Sequence, residues 1–148
     1  MKFIIAALAL MAFIPAHAEE SVQEKNKRIV TEFYDLAFNQ HQPLEAANKY
    51  LADNYKQHNP YVAEGKKGFI DAFAGDTLDD SVTDFKRFIA ENDLVVVHSH
   101  GKKHQFAFPL DRGVAVIDIF RVEGNLIIEH WDVGQKVPET SKNDNTMF

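Results

Sequence analysis

The sequence predicts an α+β domain in which helices come first along the chain and an antiparallel sheet follows. Before about residue 80, apolar residues recur at the three- and four-residue spacing of helices. After that point they alternate in short runs rich in valine and isoleucine, separated by polar turns. Helices followed by consecutive strands with short connections are typical of α+β proteins with antiparallel pairing. We therefore expect three helices to cover one face of the sheet.

The N-terminus predicts a secretory signal peptide over residues 1–18. Lys2 precedes an apolar run from Phe3 to Ile14, and Ala16-His17-Ala18 supplies the small residues that signal peptidase recognises. The apolar run is too short to span a bilayer. We expect cleavage to release residues 19–148 as one domain, periplasmic or secreted, with no membrane contact afterwards.

Composition narrows the possible partners and the source of stability. The chain has 148 residues, a formal net charge of −6 and no cysteine. Without thiols there are no disulfides, so stability must come from burial of a single core. An acidic domain repels phosphates, which argues against nucleic acid as a partner.

Local signals set the predicted helices. Ser21 opens a capping box, so the first helix is expected to begin there and to end near residue 40. Pro43 is typical of the first position of a second helix, which would continue toward a break at Asn59-Pro60. A third helix is predicted from Gly65 to Phe73.

Period-two alternation predicts the strands, whose side chains point to opposite faces in turn. Phe106 and Phe108 also alternate. The four predicted strands are Thr83 to Glu91, Leu94 to His100, Val114 to Val122, and Leu126 to Gly134.

The last two predicted strands carry an acid–base constellation of Asp118, His130 and Asp132. If Val122 pairs with Leu126, Asp118 lies opposite His130 and diagonal to Asp132, and all three share one face with apolar neighbours. A turn one residue shorter would separate Asp118 from the other two. In an apolar pocket, two carboxylates and an imidazole can divide acid and base roles. On a solvated face they would only contact water.

Two further groups of polar residues leave alternatives open. Within Gln57-His58-Asn59-Pro60, His58 either points from a pocket mouth toward the sheet or is an exposed residue of an Asn-Pro turn. His98, His100 and His104 either bind zinc or copper or belong to an ordinary hairpin. Because neither cysteine nor an HExxH motif supports a metal site, we expect His98 to line the pocket instead.

Several segments in order resemble the SnoaL-like family, which is named after polyketide cyclases and often described as aldol-condensation enzymes. They are Tyr55 to Pro60 (YKQHNP), Gly65, Gly68-Phe69, Asp118 to Val122 (DIFRV), Ile128 to Val133 (IEHWDV) and Asn145 to Phe148 (NTMF). The family shares its fold with nuclear transport factor two and ketosteroid isomerase. The resemblance extends from Val22 to Phe148 and depends on the combination of motifs.

The resemblance implies a cone in which helices and a curved sheet enclose a deep pocket. It also implies a cofactor-free reaction on a carbonyl compound, with Asp132 at the position of the family's acid–base aspartate. The partner on the neighbouring strand is often histidine in the cyclases, whereas Asp118 stands there in this chain.

These observations lead to a hypothesis of a lyase, isomerase or cyclase that uses neither a metal nor an organic cofactor. Asp132 would abstract a proton next to a carbonyl, and His130 or Asp118 would orient it or return the proton. His58 and His98 would hydrogen-bond the developing enolate oxygen. The residues predicted to bind the substrate are His98, Phe120, Val116, Trp131 and Tyr55.

Two expectations concern partners. The ligand should be a small apolar or carbonyl-containing molecule, and the alternative to an enzyme is a non-catalytic periplasmic binding module for an apolar molecule. A homodimer is expected through the outer sheet face around Trp131, Ile117 and Ile119, because an exposed apolar row invites association.

Overall fold

The computed structural model describes residues 20–74, 81–102 and 112–148. The predicted signal peptide, His104, Phe106 and Phe108 lie outside the described residues. Within the described part, no helix combines the length and apolar character that a membrane crossing requires.

The helices begin where the local signals predict. They are α1 (Val22–Tyr34), extended by a short π-helix (Asp35–Asn39), α2 (Pro43–Tyr50) and α3 (Gly65–Phe73). The Oγ of Ser21 accepts a hydrogen bond from the backbone N–H of Glu24 at 3.2 Å, which satisfies one of the free donors at the start of α1. The three predicted helices are confirmed.

Among the residues that the structure describes, five strands form one open sheet in the order β1-β5-β4-β3-β2. They are β1 (Leu51–Gln57), β2 (Val82–Glu91), β3 (Leu94–Lys102), β4 (Val114–Glu123) and β5 (Leu126–Lys136). Strands β2 to β5 pair antiparallel in sequence order. The α+β class and the four predicted strands are confirmed, with the helices packed on one face of the sheet.

Strand β1 was not predicted, and it makes the sheet mixed because it pairs parallel to β5. The predicted second helix was expected to continue beyond Leu51, which shares helical spacing with Leu44 and Ala47. In the structure Leu44 is 54% exposed, and α2 ends at Tyr50. The wholly antiparallel arrangement is therefore wrong at this edge. Leu51, Ala52 and Tyr55 are its buried residues, so burial along the segment does not alternate, and its other residues are polar.

The core lies between the helices and the inner face of the sheet, and Phe33 is at its centre. The Phe33 ring centroid is 5.3 Å from that of Phe69 on α3 and 6.1 Å from that of Phe120 on β4. The first contact joins two helices, and the second joins α1 to the sheet. Such aromatic packing holds the helices over the sheet and fixes the depth of the space between them.

The turn between β4 and β5 is a short one, because Glu123 pairs with Leu126. This turn is one residue shorter than a Val122–Leu126 pairing would give, and by itself it would exchange the two faces of β5 relative to β4. A β-bulge reverses that exchange. Val122 pairs with Ile127, but Arg121 pairs with Glu129, so one extra residue enters β5 between these pairs.

The bulge places Asp118, His130 and Asp132 on the inner face together. Asp118 is directly opposite Asp132, and Phe120 is opposite His130. The sequence-based pairing of Asp118 with His130 is therefore wrong by two residues along β5, although the three side chains share a face. A bulge also increases local twist, which bends the strands around the space beneath the helices.

Candidate active site

A cavity of about 460 Å³ opens between the inner face of the sheet and the helices. Its walls are mainly apolar and include Tyr34, Phe38, Val62, Phe73, Val114 and Val116. Asp118, His130 and Asp132 line the same cavity. A few convergent polar groups within apolar walls are typical of a site for a small molecule.

Asp118 and His130 form a buried pair within this cavity. The Oδ1 of Asp118 lies 3.1 Å from Nε2 of His130, and the two residues are 2% and 8% exposed. The ring of Phe120 stacks on the imidazole at a centroid separation of 4.6 Å. This packing holds the ring so that one nitrogen faces Asp118.

Gln57 fixes the other nitrogen of His130. The backbone N–H of Asn59 donates to Oε1 of Gln57 at 2.9 Å, and the amide Nε2 of Gln57 donates to the hydroxyl of Tyr55 at 3.0 Å. These two contacts determine which end of the amide is oxygen. Nδ1 of His130 lies 3.0 Å from that oxygen, which can only accept, so Nδ1 must carry a proton.

It follows that the Asp118–His130 pair holds one further proton. Two unprotonated acceptors facing each other at 3.1 Å would repel, since neither has a hydrogen to share. Either the imidazolium donates to a carboxylate, or a carboxylic acid donates to the neutral imidazole. In both forms the pair is an acid with a net charge of zero.

Asp132 has a different set of partners. The side-chain oxygen of Asn59 accepts from the backbone N–H of Tyr61 at 2.8 Å, so the amide nitrogen of Asn59 must face the other way. That nitrogen donates to Oδ2 of Asp132 at 2.6 Å. A carboxylate that receives an N–H donor is suited to remain the acceptor, and hence the base.

The acid and the base are close enough to act on one molecule. Ligand-type atoms of Asp118, His130 and Asp132 all lie within 4.8 Å of one another. The pair holds the proton, and Asp132 holds a free lone pair. Two carboxylates in different environments are the usual basis for separate acid and base roles.

Two tyrosines near this cluster keep their protons. Burial raises the pKa of the Tyr34 hydroxyl well above its ordinary value, and the charge of Asp118 adds to the effect. Burial also raises the pKa of Tyr55, followed by the charge of Asp132. Tyr34 lines the cavity, and its protonated hydroxyl interacts with the carboxylate of Asp118 there, so it acts as a hydrogen-bond donor rather than a base.

The structure corrects the expected positions of His58 and Trp131. The exposed His58 ring stacks on Trp131 at 4.8 Å, and its Nε2 lies 2.9 Å from a carboxylate oxygen of Glu129. Glu129 and Trp131 belong to the outer face of β5, because they alternate with His130 and Asp132. His58 therefore does not point into the cavity, and Trp131 does not line it.

His98 is also on the outer face. Along β3 the buried inner positions are Val95, Val97 and Ser99, so His98 points away from the cavity. His98 contacts Arg87. The centroid of the Phe148 ring lies 5.7 Å from that of the His98 ring and 4.2 Å from that of the His100 ring. The prediction that His98 lines the pocket is wrong, and the end of the C-terminal segment lies across the outer face.

The remaining predicted residues divide between the wall and its support. Val116 lines the cavity, as expected of a substrate contact. Phe120 and Tyr55 are each 2% exposed and do not reach the cavity surface. Phe120 supports the His130 ring, and Tyr55 accepts from Gln57, so both hold the site rather than line it.

Gln57 and Asn59 were missed as site residues, although the QHNP segment had been noted. Both flank His58 in the chain, and alternating side chains on extended backbone point to opposite sides. Had β1 been recognised as a strand beside β5, an outward His58 would have implied an inward Gln57 and Asn59. The sequence does not reveal β1, because its seven residues are mostly polar and lack the alternating apolar pattern of a half-buried strand.

The outer-face contact of Phe148 leads to a pH-dependent prediction. Partial burial, and then the charges of Arg87 and Lys86, lower the pKa of His98 below its ordinary value of about 6.5, while a hydrogen bond with the Met147 backbone opposes this more weakly. Arg87 and Lys86 act on His98 whether or not the segment is docked, so burial of the ring, the largest cause, is what links its protonation to docking. Because His98 in the undocked form is less buried and binds a proton more readily, docking is favoured above about pH 6.5 and weakens as the pH falls through the pKa of the docked form.

We expect hydrogen–deuterium exchange of residues 141–148, measured by mass spectrometry and corrected for intrinsic rates, to be faster at about pH 5.5 than at about pH 7.5. His98→Gln should reduce this difference, because glutamine does not titrate. Equal protection of the segment in the unaltered protein at both pH values would contradict the prediction.

Comparison with known proteins places this architecture in a family. Residues 30–130, more than half of the chain, match the SnoaL-like domain model. A search of curated proteins gives no significant match.

Solved structures show the same fold at low sequence identity. TsrD from Streptomyces laurentii is 23% identical, with a TM-score of 0.61 over 77% of this chain and 91% of its own. A proposed polyketide cyclase from Acidithiobacillus ferrooxidans is 24% identical, with a TM-score of 0.59 over 77% and 90%. A proposed ketosteroid isomerase from Kribbella flavida is 14% identical, with a TM-score of 0.64 over 82% and 85%. The solved structures show the shared fold, and the domain model that matches residues 30–130 establishes that the chain belongs to the SnoaL-like domain family.

Proposed function

We propose that this protein is an acid–base enzyme that acts on a small carbonyl compound as an isomerase, lyase or cyclase of the aldol type, without an organic cofactor. The observation that carries the proposal is the separation of proton donor and proton acceptor in one cavity. The Asp118–His130 pair holds a proton, whereas Asp132 accepts a hydrogen bond from Asn59.

In this mechanism the substrate lies among the apolar side chains with its carbonyl oxygen toward the Asp118–His130 pair. Asp132 removes a proton from the carbon next to the carbonyl, and the pair donates its proton to the oxygen as charge develops there. The product is an enol. Reversal of both transfers returns a proton to carbon, either at the same position or at a conjugated one.

Gln57 and Asn59 take positioning roles, one of which, the orienting of Asp132, the sequence assigned to His130 or Asp118. Gln57 holds the imidazole so that Nε2 faces Asp118, and Asn59 holds the carboxylate of Asp132. The Tyr34 hydroxyl, which remains protonated, offers a further donor in the cavity. Apolar walls exclude water, which strengthens these polar interactions.

The test is proton exchange next to a carbonyl, with 2-tetralone as the first probe in a panel of bicyclic aryl ketones. We expect the protein in heavy water to exchange the α-protons of at least one probe well above the buffer rate, as measured by nuclear magnetic resonance. Probe binding at the cavity without exchange would contradict the enzyme and support the non-catalytic binding module.

We further propose that the domain works as an exported homodimer, periplasmic or secreted. The signal-like N-terminal sequence supports export. The half-buried apolar side chains of Ile117, Ile119 and Trp131 on the outer face support association with a second copy, since such a face gains from being covered. Sedimentation of the mature protein tests the dimer.

A further inference from the structure

The acid–base cluster also has the composition of a metal site. Asp118 and Asp132 are directly opposite on neighbouring strands, and with His130 they bring three ligand atoms within 4.8 Å of one another. Two carboxylates carry a charge of −2, which matches a divalent cation. The neutral imidazole adds a nitrogen ligand. Nitrogen ligands suit first-row transition ions, whereas Mg²⁺ and Ca²⁺ bind oxygen ligands instead.

The residues behind these three hold them as ligands are usually held. Metal-binding histidine normally donates its second ring N–H to a carbonyl or carboxylate, and Nδ1 of His130 lies 3.0 Å from Oε1 of Gln57. Asp132 is oriented by the amide of Asn59 at 2.6 Å. Nε2 of His130 therefore points toward both carboxylates with its tautomer already fixed.

A separate observation points to a cation at this place. The Tyr34 hydroxyl interacts with the carboxylate of Asp118. Oδ2 of Asp118 nevertheless makes no hydrogen bond of ordinary geometry among the described residues, although Asp118 is only 2% exposed. A buried carboxylate oxygen without a donor is costly, and a cation bound beside it would remove that cost.

We propose that Asp118, His130 and Asp132 bind one first-row divalent transition-metal ion, which takes the place of the proton held between Asp118 and His130. The ion has three protein ligands and leaves its remaining positions open to the cavity. If the proposed function is correct, the ion inhibits it, because the acid loses its proton and the base loses its lone pair.

The experiment uses tag-free mature protein dialysed against chelator, titrated with Co²⁺ and followed by its visible absorption, with Zn²⁺ as a competitor. We expect one ion per chain. Asp132→Asn and His130→Gln should abolish the absorption band, and Gln57→Leu, which keeps all three ligands, should weaken binding about 10–100-fold. The control variant His98→Asn/His100→Asn removes the surface histidines and should bind as the unaltered protein does.

Binding that survives in Asp132→Asn and His130→Gln but is lost in the surface control would overturn the proposal, as would no binding by the unaltered protein. The exchange assay separates this result from the proposed function. Exchange without metal binding overturns only the metal site. Inhibition of exchange in step with metal occupancy supports both. Exchange that requires the metal supports the site and overturns the metal-free acid–base reaction.

Discussion

Replacing Asp132 by asparagine is expected to slow α-proton exchange by about 10³-fold or more, which corresponds to ~4 kcal/mol of transition-state stabilisation. The carboxamide has nearly the same shape but no basic lone pair on its nitrogen and only a weak base in its oxygen. Asp132 is partly exposed at the cavity, so the fold should tolerate the change. Proton exchange into 2-tetralone, or into whichever probe of the panel responds best, measures the effect.

Glu129→Gln is the matched control for Asp132→Asn. Glu129 lies on the same strand three residues earlier and carries the same charge, but it faces the outer surface and pairs with His58 and Arg121. Exchange in this variant should remain within about threefold of the unaltered rate, because Glu129 does not line the cavity and its ion-pair partners lie exposed on the outer face, where such pairs contribute little. Equal rates in the unaltered protein and Asp132→Asn, with both folded, would remove Asp132 from the mechanism.

Replacing Asp118 by asparagine should slow the same exchange by about 10²-fold or more, through loss of the acid. The asparagine amide can still donate to Nε2 of His130, and Nδ1 can still donate to Gln57. The ring therefore keeps its position, but the pair no longer holds a transferable proton. The developing charge on the substrate oxygen is then left with a weaker donor.

Thermal unfolding of the Asp118→Asn variant shows whether slower exchange comes from loss of the acid or from destabilisation of the protein around this buried residue. Asp84→Asn is the comparison, since Asp84 lies on β2 in ion pairs with Lys86 and Lys102 outside the cavity. We expect Asp84→Asn to exchange at the unaltered rate. Full exchange by a folded Asp118→Asn variant would show that the proton held with His130 takes no part in the reaction.

The sequence was most informative where one local interaction decides the structure. Ser21 caps the first helix, and Pro43 begins the second, as their residue types predict. Alternating apolar residues also predict the four strands, because half-buried strands need apolar side chains at every second position. These signals require no knowledge of distant contacts.

Prediction was poorest where a distant partner decides the structure. β1 is a strand because β5 lies beside it, whereas its own residues continue a helical pattern from α2. The same missing strand hid the inward direction of Gln57 and Asn59. The predicted pocket position of His98 is wrong because the sequence does not show which of the two alternating sets of side chains on β3 faces the helices.

The site residues themselves were found because acids and imidazole stand at alternate positions on adjoining strands. Their partners could not be derived in the same way. The pairing of Asp118 with Asp132 depends on one inserted residue in β5. No residue pattern in the segment Leu126 to Trp131 predicts that insertion. The local sequence pattern thus identifies the candidate site residues, whereas their contacts depend on how distant strands pair.

The bulge beside Arg121 also restricts how this hairpin can change during evolution. Adding or deleting one residue at the tip would leave Asp118 on the opposite side of the sheet from His130 and Asp132 unless the irregularity in β5 disappeared in the same lineage. Each alteration alone is harmful, whereas the two together restore the site. Relatives that share the chemistry should therefore vary in tip length by even numbers, or lose the bulge whenever the number is odd.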